Sequence, residues 1–158
     1  MRIKEVVAED FLNFKKPSMF ILSAVCDWKC CREAGIDDVC QNKHLEDSPT
    51  VEISNEAVFR AYHENDITKA VVIGGLEPML QIREITDLIR YFRSHDELCQ
   101  FVIYTGYDRD EVAEYLSDLK SLGNIIIKFG RYLPDRPERY DGVLGVTLSS
   151  DNQYAVEL

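Results

Sequence analysis

The chain has 158 residues, a single-domain length that can bury one core without disulfide staples. Its 18 Lys+Arg against 28 Asp+Glu leave a net charge of -10, which argues against nucleic acid and anionic membrane surfaces as partners. No apolar run approaches the roughly 20 residues needed to cross a bilayer, and the charged start "MRIKEVVAEDF" lacks the apolar region of a signal peptide, so a cytoplasmic protein with reduced thiols is expected.

In chain order, the first strong signal is "MFILSAV" (19–25), an apolar run of the kind that forms a buried parallel strand. It leads directly into "VCDWKCCREAGIDDVCQN" (25–42), which holds four of the five cysteines. A helix is expected over 54–64, then a strand at "AVVIGG" (70–75), followed by "GGLEP". Residues 80–93 place Ile82, Ile85, Leu88, Ile89 and Phe92 at spacings of three and four, a helix with one apolar stripe. A third strand, "FVIYTG" (101–106), ends in "TGY". Residues 108–122 open with Asp108 and Glu111 as a capping box and stop at Gly123. A fourth strand is expected at "NIIIKFG" (124–130), an exposed loop over 131–142, and a further strand at "VLGVTL" (143–148). Strands alternating with helices imply parallel α/β architecture in a single domain, 1–158, with a cysteine loop at 26–42 and a tail at 149–158.

In such sheets ligands bind beyond the carboxyl ends of the strands. The cysteine loop, "GGLEP" and "TGY" each follow a strand, so three unusual loops fall on one rim. Clustered cysteines in a reducing compartment indicate a metal or redox site. No Cys-x-x-Cys pair is present, and adjacent thiols such as Cys30 and Cys31 point apart and seldom share one metal. Three usable thiolates remain, Cys26, Cys30 and either Cys31 or Cys40. Thiolates are the usual ligands of iron–sulfur clusters, and three of them on a four-iron cluster leave one iron open to substrate. Cys99, at the entrance of a strand, is read as a small buried hydrophobe.

Cys26-x-x-x-Cys30 after the first strand, with "GGLEP" after the second, resembles the radical S-adenosylmethionine superfamily. Thr105-Gly106-Tyr107, Cys40-Gln41-Asn42 and Ser150-Asp151-Asn152-Gln153 extend the resemblance to the activating proteins of anaerobic ribonucleotide reductase, over residues 19 to 153. One departure stands out. The superfamily places a third cysteine three residues after the second, and here that position is Glu33, so the resemblance assigns the third ligand to Cys40, with Cys31 as the alternative.

The resemblance implies an incomplete (β/α) barrel of about four or five parallel strand–helix units, shorter than the roughly 200 residues of a closed barrel. It implies a 4Fe-4S cluster held by Cys26, Cys30 and Cys40, with no catalytic side chain beyond the cluster. S-adenosylmethionine would be bound by Gly74, Gly75, Glu77, Thr105 and Asn152, with the glycines allowing close backbone approach and Glu77 contacting ligand or ordering its loop, the alternative being a solvated surface carboxylate before Pro78. Reductive cleavage would give a 5′-deoxyadenosyl radical that installs a glycyl radical in the large subunit of the reductase. A reducing donor such as flavodoxin would supply the electron. Other glycyl radical enzymes are alternative targets, and a non-catalytic zinc or iron–sulfur interaction module is the alternative from another class. Trp28 would shield the cluster or pack, Tyr107 would face ligand or pack the rim, Asn42 would bond the loop backbone, and Gln153 would contact ligand or partner. His44, His63 and His95 share no metal-ligand spacing, and the last two end helices at the surface.

Overall fold

A computed structural model describes residues 1–95 and 97–158. Its centre is a mixed seven-stranded sheet in the order β3-β1-β2-β4-β5-β6-β9. Four strands are parallel and in sequence order: β2 (Ser18–Ser23), β4 (Ala70–Gly75), β5 (Gln100–Tyr104) and β6 (Ile125–Phe129). These are the expected apolar runs, and nearly every residue in them is buried, as strands covered on both faces must be.

Three elements depart from an all-parallel arrangement. The charged N-terminus forms β1 (Arg2–Asp10), antiparallel to β2, and β3 (Val51–Glu52) adds to its outer edge. The tail supplies β9 (Tyr154–Glu157), antiparallel to β6. The run 143–148 joins no part of this sheet. Its last residues form β8 (Val146–Leu148), which pairs with β7 (Arg139–Asp141), a strand inside the segment expected to be an exposed loop. Gly145, at φ +74, makes the turn between the two, in a region that suits glycine.

The helices are α1 (Lys29–Ala34), α2 (Asn55–His63), α3 (Ile82–Ser94) and α4 (Ala113–Ser121). Ser54 caps α2 by accepting from the Ala57 amide at 3.1 Å. The Asp108–Glu111 capping box forms as expected, opening a 3-10 turn that runs into α4. Side chains alternate across each strand. Val71, Ile73, Phe101, Ile103, Ile125 and Ile127 point back into the core shared with α2, α3 and α4. Ala70, Val72, Val102 and Ile126 point forward, where Phe14, Leu144 and Leu148 cover them. Among the described residues no helix is long and apolar enough to cross a membrane.

Candidate metal centre

The forward face runs out of aliphatic side chains toward the carboxyl ends of the strands. Gly74 on β4, Tyr104 on β5 and Lys128 on β6 continue the forward rows. Beyond them opens a cleft of about 290 Å³. Cys26, Cys30 and Cys40 line it together with Gly75, Glu77 and Thr105. Chain segments from Leu12 to Gln153 thus meet around one cleft at the carboxyl ends of the parallel strands.

Cys26 follows β2 directly. Its sulfur accepts from the Trp28 amide at 3.3 Å, and burial pushes its thiol up to about 11. Trp28 sits in the left-handed region at φ 56, which is unusual for so bulky a residue, and opens α1. Cys30 and Cys31 stand on that short helix. Their sulfurs are 3.9 Å apart, so the adjacent thiols do not splay as the sequence suggested. Only Cys30 lines the cleft; Cys31 is buried. The neighbouring Cys30 and Cys40 thiols influence one another, which holds Cys40 below the ordinary thiol range and Cys30 above it. All five cysteines are free. Cys99 is buried behind the sheet, where burial raises its thiol to about 11, as suits an inert core residue.

The cysteine loop is braced both against the sheet and within itself. Asn42 donates to the Gly75 carbonyl at 2.7 Å, so a distant backbone group takes the amide expected to bond locally. Lys43 lies 4.1 Å above the Trp28 ring. Arg131, just past β6 and 9% exposed, pairs with Glu33 at 2.9 Å, Glu111 at 2.7 Å and Asp108 at 3.3 Å. The contact to Glu33 is an ion pair off the hydrogen-bond axis, because Nε has no aligned acceptor. Lys29 on α1 also reaches Glu111. Glu33, which fills the slot of a third cysteine in the resemblance, therefore anchors α1 to the rim of β6.

Glu77 is 7% exposed, which rules out a surface carboxylate. It accepts from Thr105 Oγ1 at 2.6 Å, the Met79 amide at 3.0 Å and the Gly106 amide at 2.8 Å. Its own amide donates to the Val25 carbonyl at 2.8 Å, so this one residue staples the ends of β2, β4 and β5. Burial raises its carboxyl above the usual range, against the pull of those three donors. Thr105, 1% exposed, spends its hydroxyl on Glu77. Tyr107 packs beneath Lys29 and Arg131.

The remaining expected ligand residues divide. Gly75 lines the cleft at φ +79, while Gly74 lies against Phe20 and Tyr104, with 3.0 Å between a built Cβ and the Phe20 ring. Its glycine serves strand packing. Asn152 does not line the cleft. It donates to the Arg131 carbonyl at 2.8 Å and leaves its Oδ1 buried without a partner. Gln153 does line it, bonded to the Gly130 carbonyl at 3.2 Å. His63 and His95 pack on Phe59 at helix ends, and His44 meets the Gln41 carbonyl. Lys128 and Arg131 were missed by motif reading. A lysine within "IIIKF" was the available signal.

Three thiols facing one cleft suit a thiolate-bound iron–sulfur group. Among the described residues no three His, Cys, Asp or Glu side chains gather closely enough to hold a single metal ion. A family described as the 4Fe-4S single cluster domain matches residues 19–147. No curated protein and no solved structure matches the chain.

Proposed function

The chain belongs to the 4Fe-4S single cluster domain family, and from that premise we propose that it is a radical S-adenosylmethionine enzyme that activates a glycyl radical enzyme. The observation that carries this reading is the meeting of Cys26, Cys30 and Cys40 with Gly75 and the Glu77 staple in one cleft. In it, β2, β4, β5 and β6 are the core of an incomplete (β/α) barrel, flanked by antiparallel β1 and β9.

Cys26, Cys30 and Cys40 hold the cluster, and Cys31 stays behind the loop as a buried residue. A cluster held by these three thiolates would supply the electron for reductive cleavage of S-adenosylmethionine. The chain's own residues bind and enclose. Gly75 lines the cleft with backbone alone; its φ of +79 and the close approach of Leu22, 3.1 Å from where a Cβ would sit, both call for glycine. Its carbonyl already accepts from Asn42, so ligand contact there is shared with the cysteine loop. Glu77 fixes the loop geometry instead of contacting ligand, since three donors occupy its oxygens. The partner is a protein loop bearing the target glycine, with anaerobic ribonucleotide reductase as the proposed host and a cytoplasmic donor such as flavodoxin as the electron source.

The test is anaerobic. The protein is reconstituted with iron and sulfide, reduced, given S-adenosylmethionine and assayed for 5′-deoxyadenosine, with Cys40→Ala and Cys31→Ala alongside. Product that survives Cys31→Ala and vanishes with Cys40→Ala is expected. The reverse pattern moves the third ligand to Cys31. Stoichiometric zinc with no product leaves the non-catalytic metal module.

A further inference from the structure

Four charges form a closed ring where α1 meets the rim. Lys29 and Glu33 sit one turn apart on that helix, 3.7 Å from each other. Arg131 reaches Glu33 at 2.9 Å and Glu111 at 2.7 Å, and Glu111 closes the circuit by accepting from Lys29. Cation and carboxylate alternate at every step, so each member has an opposite charge on both sides. Asp108 meets Arg131 at 3.3 Å from outside the ring. Beneath lies Tyr107, whose ring centre is 5.5 Å from Lys29 Nζ and 5.8 Å from the Arg131 guanidinium. The members come from α1, from the turn that opens α4 and from the segment just past β6.

The helix α1 has little of its own to orient it. Six residues make a helix too short to hold its shape in isolation. Trp28 makes no side-chain cap bond, and the buried residue of α1 is Cys31, whereas α3 buries a whole stripe. A helix seated on so narrow a face can roll about its axis. Two anchors one turn apart, about 6 Å along the axis, remove that freedom. A slip of one residue would turn the helix by about 100° and break both contacts. Cys30 lies between the anchors and lines the cleft, so the same slip would carry its sulfur away. Exposed ion pairs taken singly contribute little. Here the central guanidinium is 10% exposed and joins two segments at once, an arrangement suited to specifying register.

We propose that this ring is a positioning device for the cysteine loop, with Arg131 as its positioning residue: it fixes the roll of α1, turning Cys30 to the cleft and leaving Cys31 buried. Its consequence for iron binding rests on Cys30 as a cluster ligand, and its consequence for the cluster-free chain rests on the ring alone. It also accounts for Glu33. A cysteine at that position would leave α1 with one anchor and Arg131 without its partner on the loop.

The test alkylates the cluster-free full chain with iodoacetamide, a neutral reagent, and reads the rate at each cysteine by peptide mass spectrometry. Opening of α1 exposes its thiols, so the rate follows the open population. Arg131→Met is expected to raise alkylation of Cys30 and Cys31 about fivefold or more, with Cys99 unchanged. Glu33→Gln, which removes a half-exposed partner, should raise it about twofold, and Arg131→Lys should restore most of the protection. Arg90→Met, which breaks the exposed pair with Asp87 on α3, should change nothing. After reconstitution with iron and sulfide, Arg131→Met should lose iron to a chelator about fivefold faster than wild type. Equal Cys30 rates in wild type and Arg131→Met, an equal rise in Arg90→Met, a rise that Cys99 shares in both ring variants, or equal iron loss would each overturn the proposal. A wild-type chain that holds no iron, with Cys30 still released by Arg131→Met, sinks the cluster reading and leaves the ring standing.

Discussion

The two faces of the sheet use the same four strands and end up chemically opposed. The rear face is sealed by α2, α3 and α4 over Ile85, Leu88, Ile89 and Phe92, all fully buried. Among the described residues the front face has no helix in its core cluster; the 11–16 loop and the β7–β8 hairpin close its lower part with Phe14, Leu144 and Leu148. Its upper part is left to glycine, tyrosine and lysine around the cleft. Stability and site are thus separated by the two-residue alternation of a strand: odd-numbered positions of β4 to β6 hold the molecule together, and even-numbered ones near the rim are released for chemistry.

Substitutions on each face sharpen this division. Phe92→Ala removes a fully buried ring between α3 and β5 and should cost about 3–5 kcal/mol in denaturant unfolding while leaving ligand affinity unchanged. A loss below about 1 kcal/mol would mean that the helices are not the main source of stability. Glu77→Ala strips the staple from Thr105, Met79 and Gly106 and should cost about 2 kcal/mol, with faster hydrogen exchange at the Met79 and Gly106 amides. Equal exchange would show that the rim holds without it. Arg131→Met frees α1 from the rim of β6. A loss of about 1 kcal/mol is expected, because its carboxylate partners are partly exposed, and most of it should vanish in about 1 M salt, where screening shortens to about 3 Å.

The last effect has the opposite sign. Lys128→Met should raise stability at pH 7 by about 1 kcal/mol, since it removes a buried charge. The ordinary lysine value is 10.5 and the folded one about 8, so between them unfolding takes up a proton and wild-type stability rises with pH. The advantage of the methionine variant should therefore be complete below about pH 8 and gone by about 10.5. A destabilised variant at neutral pH would mean that Lys128 mainly balances Glu77.

The rear face was legible in the sequence because burial there leaves periodic marks. The runs for β2, β4, β5 and β6 and the stripe of α3 lie within about two residues of their observed positions. The edge strands were not legible. In β1 only Ile3 and Asp10 are buried, so its charges hide the alternation, and β9 is short. The β7–β8 hairpin sits in a stretch rich in proline and charge. In the site, the chemistry of the cysteines could be read locally, but which thiols share a cleft depends on how the loop folds back. Sequence gave no sign that Asn42 reaches Gly75 or that the Thr105–Gly106 turn aims its donors at Glu77, since both contacts join residues about 30 positions apart. Glu33 illustrates the same limit: it reads as a missing ligand and folds as an anchor.

The left-handed Trp28 gives the molecule an optical gauge. It is the sole tryptophan, so its emission reports one place, the head of α1 between Cys26 and Cys30, beneath the Lys43 ammonium. Lifting of the cysteine loop would withdraw that cation from the indole, and any coloured group seated on the neighbouring thiols would quench it. Loop closure and site loading can thus be followed by fluorescence in the unlabelled protein, on the timescale of the motion itself.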